Sequence, residues 1–113
     1  MLDRNKNLEH IGKIIMGAVA LEELGIIGVH HGNLPYKNNI YPRPAYASNL
    51  KENIVSTAKT LKKEIENSPE LQQLLKKEKY LLDACIEYED FKFCAEAGAK
   101  INDKLQDILI NSG

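Results

Sequence analysis

The sequence predicts an all-α protein: a small three- or four-helix bundle with a long proline- and tyrosine-rich loop after the first helix. Three observations carry this. Apolar residues recur at three- and four-residue spacing over most of the 113 residues, the period of a helix with one buried face. The prolines stay out of these stretches, because Pro35, Pro42 and Pro44 share one segment and Pro69 follows Ser68, a position where proline opens a helix. The composition, 43% hydrophobic and 27% charged, is that of a globular chain rather than a disordered or membrane protein. The length suits a single domain, 1–113.

The first helix is expected near 8–24, on the stripe Ile11, Ile14, Ala18 and Leu21, widened by Ile15, Val19 and Leu24. Its polar side is thin, since Met16, Gly17 and Ala20 stand where a surface helix usually carries charge. Gly12, Gly17 and Ala18 would let another backbone approach. A helix covered on more than one side in so short a chain implies a homo-oligomer formed through that helix. Gly25 and Gly28 offer positions to end it.

The next segment, 28–48, holds three of the four prolines and three of the five tyrosines, so a continuous helix is excluded there. Asn38-Asn39 suits the turn of a short hairpin between 35–37 and 40–41. Ser48 or Asn49 then caps a helix over 49–67 on Leu50, Ile54, Ala58, Leu61 and Ile65. Ser68-Pro69-Glu70 starts another over 69–88, with a cap, a proline at the first helical position and an acid at the positive end of the dipole. Its stripe is Leu71, Leu74, Leu75, Leu82 and Cys85. A break is expected between Tyr88 and Phe91, where the stripe loses phase and Asp90 can cap, followed by a last helix over 90–111 on Ala97, Ile101, Leu105 and Ile108.

Cys85 and Cys94 are nine residues apart. On a continuous helix they would face about 180° apart and lie roughly 13 Å apart along the axis, so free, buried thiols are expected. The stretch 1–7 has no apolar leader region, and Ile14 to Leu21 is far short of a membrane span, so a cytoplasmic protein with no membrane partner is the simplest expectation. The formal charge of −1 removes the global basic excess of a protein that coats nucleic acid.

Among chemical constellations, the loop is the strongest. No Asp or Glu lies between Glu23 and Glu52, whereas Lys37, Arg43 and Lys51 are cationic and His30 and His31 add charge at lower pH. With Tyr36, Tyr41 and Tyr46 to stack, this segment suits an anion bearing a flat ring, such as a nucleotide or a short nucleic acid, or an acidic partner protein. The expected binding residues are His30, His31, Tyr36, Lys37, Tyr41, Arg43 and Tyr46, with Arg43 first because Pro42 and Pro44 flank its planar guanidinium. No cofactor or metal is expected. The lysines at 59, 62, 63, 76, 77 and 79 alternate with glutamates and read as a solvated surface.

The second reading is a small metal-dependent nucleotide-hydrolysing enzyme using Glu22, Glu23, Glu87 and Asp90. Carboxylates from facing helices suit a hard cation. The E-E and E-x-x-D elements are similar to those of all-α nucleotide pyrophosphohydrolases, but their separation is too long and no other feature accompanies them. With no organised acid, base and nucleophile set, the expected function is a non-catalytic binding protein that acts as a regulator or inhibitor.

Overall fold

The computed structural model describes residues 4–32 and 43–111, with side chains over 8–30 and 50–111. The protein is all-α. Its elements are α1 (Arg4–Gly32), α2 (Arg43–Glu66), α3 (Pro69–Leu74), α4 (Lys76–Tyr88) and α5 (Phe91–Asn111). The neighbours α1–α2, α2–α4, α4–α5 and α5–α1 all run antiparallel, because His10 meets Glu64, Lys62 meets Asp83, Glu78 meets Lys104 and Gly25 meets Ala95. The core lies between them, with Ile14, Leu21, Ile54, Ile65, Leu75, Leu82, Ile101 and Leu105 fully buried.

The first helix is longer than expected, and the reason lies in tertiary contact. Gly25 and Gly28 do not end α1; they are the places where it touches α5. A Cβ on Gly25 would lie 2.5 Å from the Ala95 amide nitrogen, and one on Gly28 would overlap the Phe91 ring. Gly98 answers from α5, pressed on the Ala18 carbonyl and the Glu22 backbone. A glycine ends a helix when the chain turns away and continues it when a neighbour needs the space. Of the small residues expected to admit a neighbour, Gly12 has none within reach and Gly17 meets only the Leu61 side chain.

Ser48 and Asn49 do not cap α2, which begins six residues before Asn49 at Arg43, with Pro44 in its first turn where a missing amide donor costs nothing. From Ser68 on, the local signals act as anticipated. The Ser68 hydroxyl accepts from the Leu71 amide at 3.3 Å, with Pro69 opening α3. The helix expected over 69–88 bends at Leu75, although Leu75 N donates to Leu71 O and Lys79 N to Leu75 O, both at 2.8 Å, so the ladder carries across. Leu74, placed on the buried stripe, is 40% exposed beside that bend. Glu89 takes the left-handed conformation, φ 50°, that closes α4, and the Asp90 carboxylate accepts from the Lys92 amide at 2.8 Å to open α5.

That turn corrects the reading of the cysteines. Because α5 folds back along α4, Cys85 and Cys94 face each other with Cα atoms 4.8 Å apart and form a disulfide. Both are wholly buried. The spacing that separates them on one helix brings them together across a two-residue turn.

Charged side chains tie the helices of the other seams. Lys62 reaches Asp83 at 2.5 Å and Lys79 reaches Glu66 at 3.7 Å, both between α2 and α4. Hydrogen bonding to Asp83 raises the Lys62 pKa above its usual 10.5, against a smaller opposing effect of burial. Glu78, the one charged residue buried among the described residues, is satisfied by Lys104 at 3.1 Å. His10 Nε2 donates to the Glu64 backbone carbonyl at 2.9 Å, joining α1 to α2. Among the described residues no helix is long and apolar enough to cross a membrane.

Candidate ligand-binding groove

An open groove of about 690 Å³ runs along α2, lined by Lys51, Glu52, Val55, Ser56, Lys59, Thr60, Lys63 and, from the α4–α5 turn, Glu89. A smaller recess of about 420 Å³ shares Lys51 and Glu89 and continues to Val29 of α1 and to Tyr88, Phe91 and Lys92. The two hollows adjoin at the end of the molecule where α1 finishes and α2 begins.

The helical repeat explains the lining. Ser56, Lys59, Thr60 and Lys63 follow one another at three, one and three residues, so they share one face of α2 opposite the buried Ile54, Ala58, Leu61 and Ile65. Lys51, Lys59 and Lys63 form no ion pair among the described residues. The only carboxylate three or four residues from Lys63 is Glu66, which is turned to Lys79, and the adjacent Glu64 is engaged with His10. Two ammonium groups and two hydroxyls thus stand together as donors toward the groove. Glu52 and Glu89 supply negative charge at the other end, so the cationic character concentrates around Lys59 and Lys63. At the opposite end, lining the recess with Lys51 and Glu89, Tyr88 stands 66% exposed with its ring centroid 6.2 Å from that of Phe93, offering an aromatic surface.

The anticipated loop residues divide into three groups. His30 and His31 belong to the last turn of α1 rather than to a loop, and His30 is exposed. Arg43 and Tyr46 lie in the first turn of α2, so Arg43 and Pro44 belong to a helix start rather than to the loop expected over 28–48. Tyr36, Lys37 and Tyr41, with the hairpin over 35–41, lie outside the described residues. The end of α1 and the start of α2 are brought to the same end of the molecule, since Val29 and Lys51 line one recess.

The carboxylates of the metal-enzyme reading are not gathered. Glu22 is half-buried against Gly98, Glu23 and Glu87 are exposed, and Asp90 is engaged in capping α5. From Gly98 back to Asp90 is about 12 Å along the helix axis. Among the described residues no three His, Cys, Asp or Glu side chains are placed to share a metal ion.

Sequence reasoning missed Ser56, Lys59, Thr60, Lys63 and Tyr88. The signal was present: on a helix, charge cancels between residues three or four apart, and Lys59 has no acid at those distances. Counting along the chain averaged that face with the opposite one. No known family matches the chain, and no characterised protein or solved structure matches it.

Proposed function

We propose that this chain is a non-catalytic helical binding protein, regulatory in role, that takes an anionic ligand carrying a flat ring, a nucleotide or short nucleic acid, in the groove along α2. The observation that carries the reading is the Ser56, Lys59, Thr60 and Lys63 face, whose ammonium groups have no protein partner among the described residues. Phosphate oxygens would satisfy those donors, and Tyr88 is placed at the far end for a base to stack. Arg43 and Tyr46 at the start of α2, together with Tyr36, Lys37 and Tyr41 of the adjoining segment, extend the same chemistry. The reading includes self-association through α1, whose outer face carries Met16 at 74% exposure. A cytoplasmic setting requires the Cys85–Cys94 bond to withstand cellular thiols, and the burial of both sulfurs supports that.

The test is equilibrium binding of inorganic phosphate, a nucleoside triphosphate and a short single-stranded oligonucleotide at two salt concentrations. Lys59→Gln/Lys63→Gln and Arg43→Ala should each weaken nucleotide binding, by about 1.5 to 3 kcal/mol for a lost charge-assisted contact. Helix content should stay unchanged, and affinity should fall as salt rises. Equal affinity of wild type and both variants would remove the groove as the site.

A further inference from the structure

The outward face of α1 is patterned as a seam. Glu9, Lys13, Met16, Ala20, Glu23 and Ile27 follow at alternating spacings of four and three, and all are exposed. That alternation is the spacing by which two helices pack side by side. Among the described residues it has no counterpart, because the core-facing residues Ile14, Ala18, Leu21 and Gly25 occupy the opposite side.

The order of side chains along the seam selects the partner. Lys13 and Glu23 lie equally far on either side of Ala18 along the helix, and so do Met16 and Ala20. Among the described residues neither Lys13 nor Glu23 forms an ion pair. An antiparallel copy with its two-fold axis at the level of Ala18 would set Lys13 beside Glu23 of the other copy twice. It would also set Met16, 74% exposed, against Ala20 twice, a long flexible side chain facing a small one. Glu9 and Ile27 would form the outermost layers, where the carboxylate still reaches water. A parallel copy would instead oppose Lys13 to Lys13 and Glu23 to Glu23, which repels at both layers.

We propose that α1 is the dimer interface of this protein and that it pairs with α1 of a second copy, antiparallel, with Lys13 against Glu23 and Met16 against Ala20. This rests on the self-association reading above and adds the partner surface and its register. The groove along α2 is left open in such a dimer, because it lies on a different helix.

The test is sedimentation of the wild type, Lys13→Glu, Glu23→Lys and the double variant Lys13→Glu/Glu23→Lys, with circular dichroism to show that each remains folded. Both positions are solvent-exposed, so the substitutions do not touch the core. The wild type should sediment as a dimer at micromolar concentration. Each single variant should weaken the dimer at least tenfold, since one substitution creates two like-charge layers. The double variant should recover to within about threefold, and an equimolar mixture of the two single variants should dimerise again. A monomeric wild type would overturn both self-association and the seam. A dimer that ignores the single substitutions, or whose double variant is not rescued, would overturn the seam and leave self-association standing.

Discussion

The two seams that hold α1 to α5 and α2 to α4 are built on opposite principles. Between α1 and α5 the backbones themselves come together at Gly25 and Gly98, and the Phe91 ring lies on Gly28, with no ion pair among the described residues. Between α2 and α4 the contact is bridged by long side chains, Lys62 with Asp83 and Lys79 with Glu66, at the edges of the buried Ile65, Leu75 and Leu82. A backbone-to-backbone contact has no slack, because an added carbon has nowhere to go. A bridge of flexible side chains can rearrange and leave its charges to water. The difference assigns the strict sequence requirements of this fold to three glycines rather than to its many charges.

The largest effect is expected at Gly98. Replacing it by Val puts side-chain carbons into the Ala18 carbonyl and the Glu22 amide, both backbone atoms that cannot rotate aside. The loss should be about 3 kcal/mol or more, at the upper end for overpacking, read from the urea midpoint. A Gly98→Val protein as stable as wild type would show that the α1–α5 approach is looser than described.

The next effect comes from the link that sets α5 against α4 and so holds the two seams in one frame. Replacing Cys85 and Cys94 together by Ser, or reducing the bond, should cost about 2 to 3 kcal/mol for a closed loop of this size. The same thiols should be silent to a titrant in the native protein and appear only after unfolding and reduction, given their burial. Two free thiols on unfolding without reductant would restore the free-cysteine reading.

The smallest effect is expected on the bridged seam. Lys62→Met should cost under about 1 kcal/mol, because the pair is one third or more exposed on both partners. The pH dependence follows from the raised Lys62 pKa. Its contribution is fully present below the ordinary lysine value of 10.5 and is lost as pH rises through the higher folded value. A wild-type minus Lys62→Met stability difference that is flat from pH 7 and vanishes only in strong alkali is the expected result. A difference that fell between pH 6 and 8 would mean another group governs the seam.

How much of this was legible depended on whether the deciding partner was a neighbour in sequence. Ser68, Pro69 and Asp90 act on amides two or three residues away, and their roles could be read directly. Gly25 and Gly28 are decided by Ala95 and Phe91, far along the chain, so a local reading could see only helix terminators. The cysteines failed for a related reason: their spacing was judged on a straight helix, although the turn at Glu89 and Asp90 was itself anticipated. For the proposed groove, acid-free composition pointed to the end of the molecule where Lys51 lies. It did not point to Lys59 and Lys63, whose isolation appears only when α2 is viewed face by face.

The glycines of α1 also set an order of events during synthesis. Each glycine in a helix interior costs about 1 kcal/mol relative to alanine, so the C-terminal part of α1, with Gly25 and Gly28, is a weak helix until α5 covers it. The residues that cover it lie seventy positions later, at Ala95 for Gly25. At ribosomal speeds that interval is on the order of 4 to 14 s. The first described helix therefore waits, partly formed, for the last described one, α5, while the Cys85–Cys94 hairpin, closed over nine residues, needs no such delay.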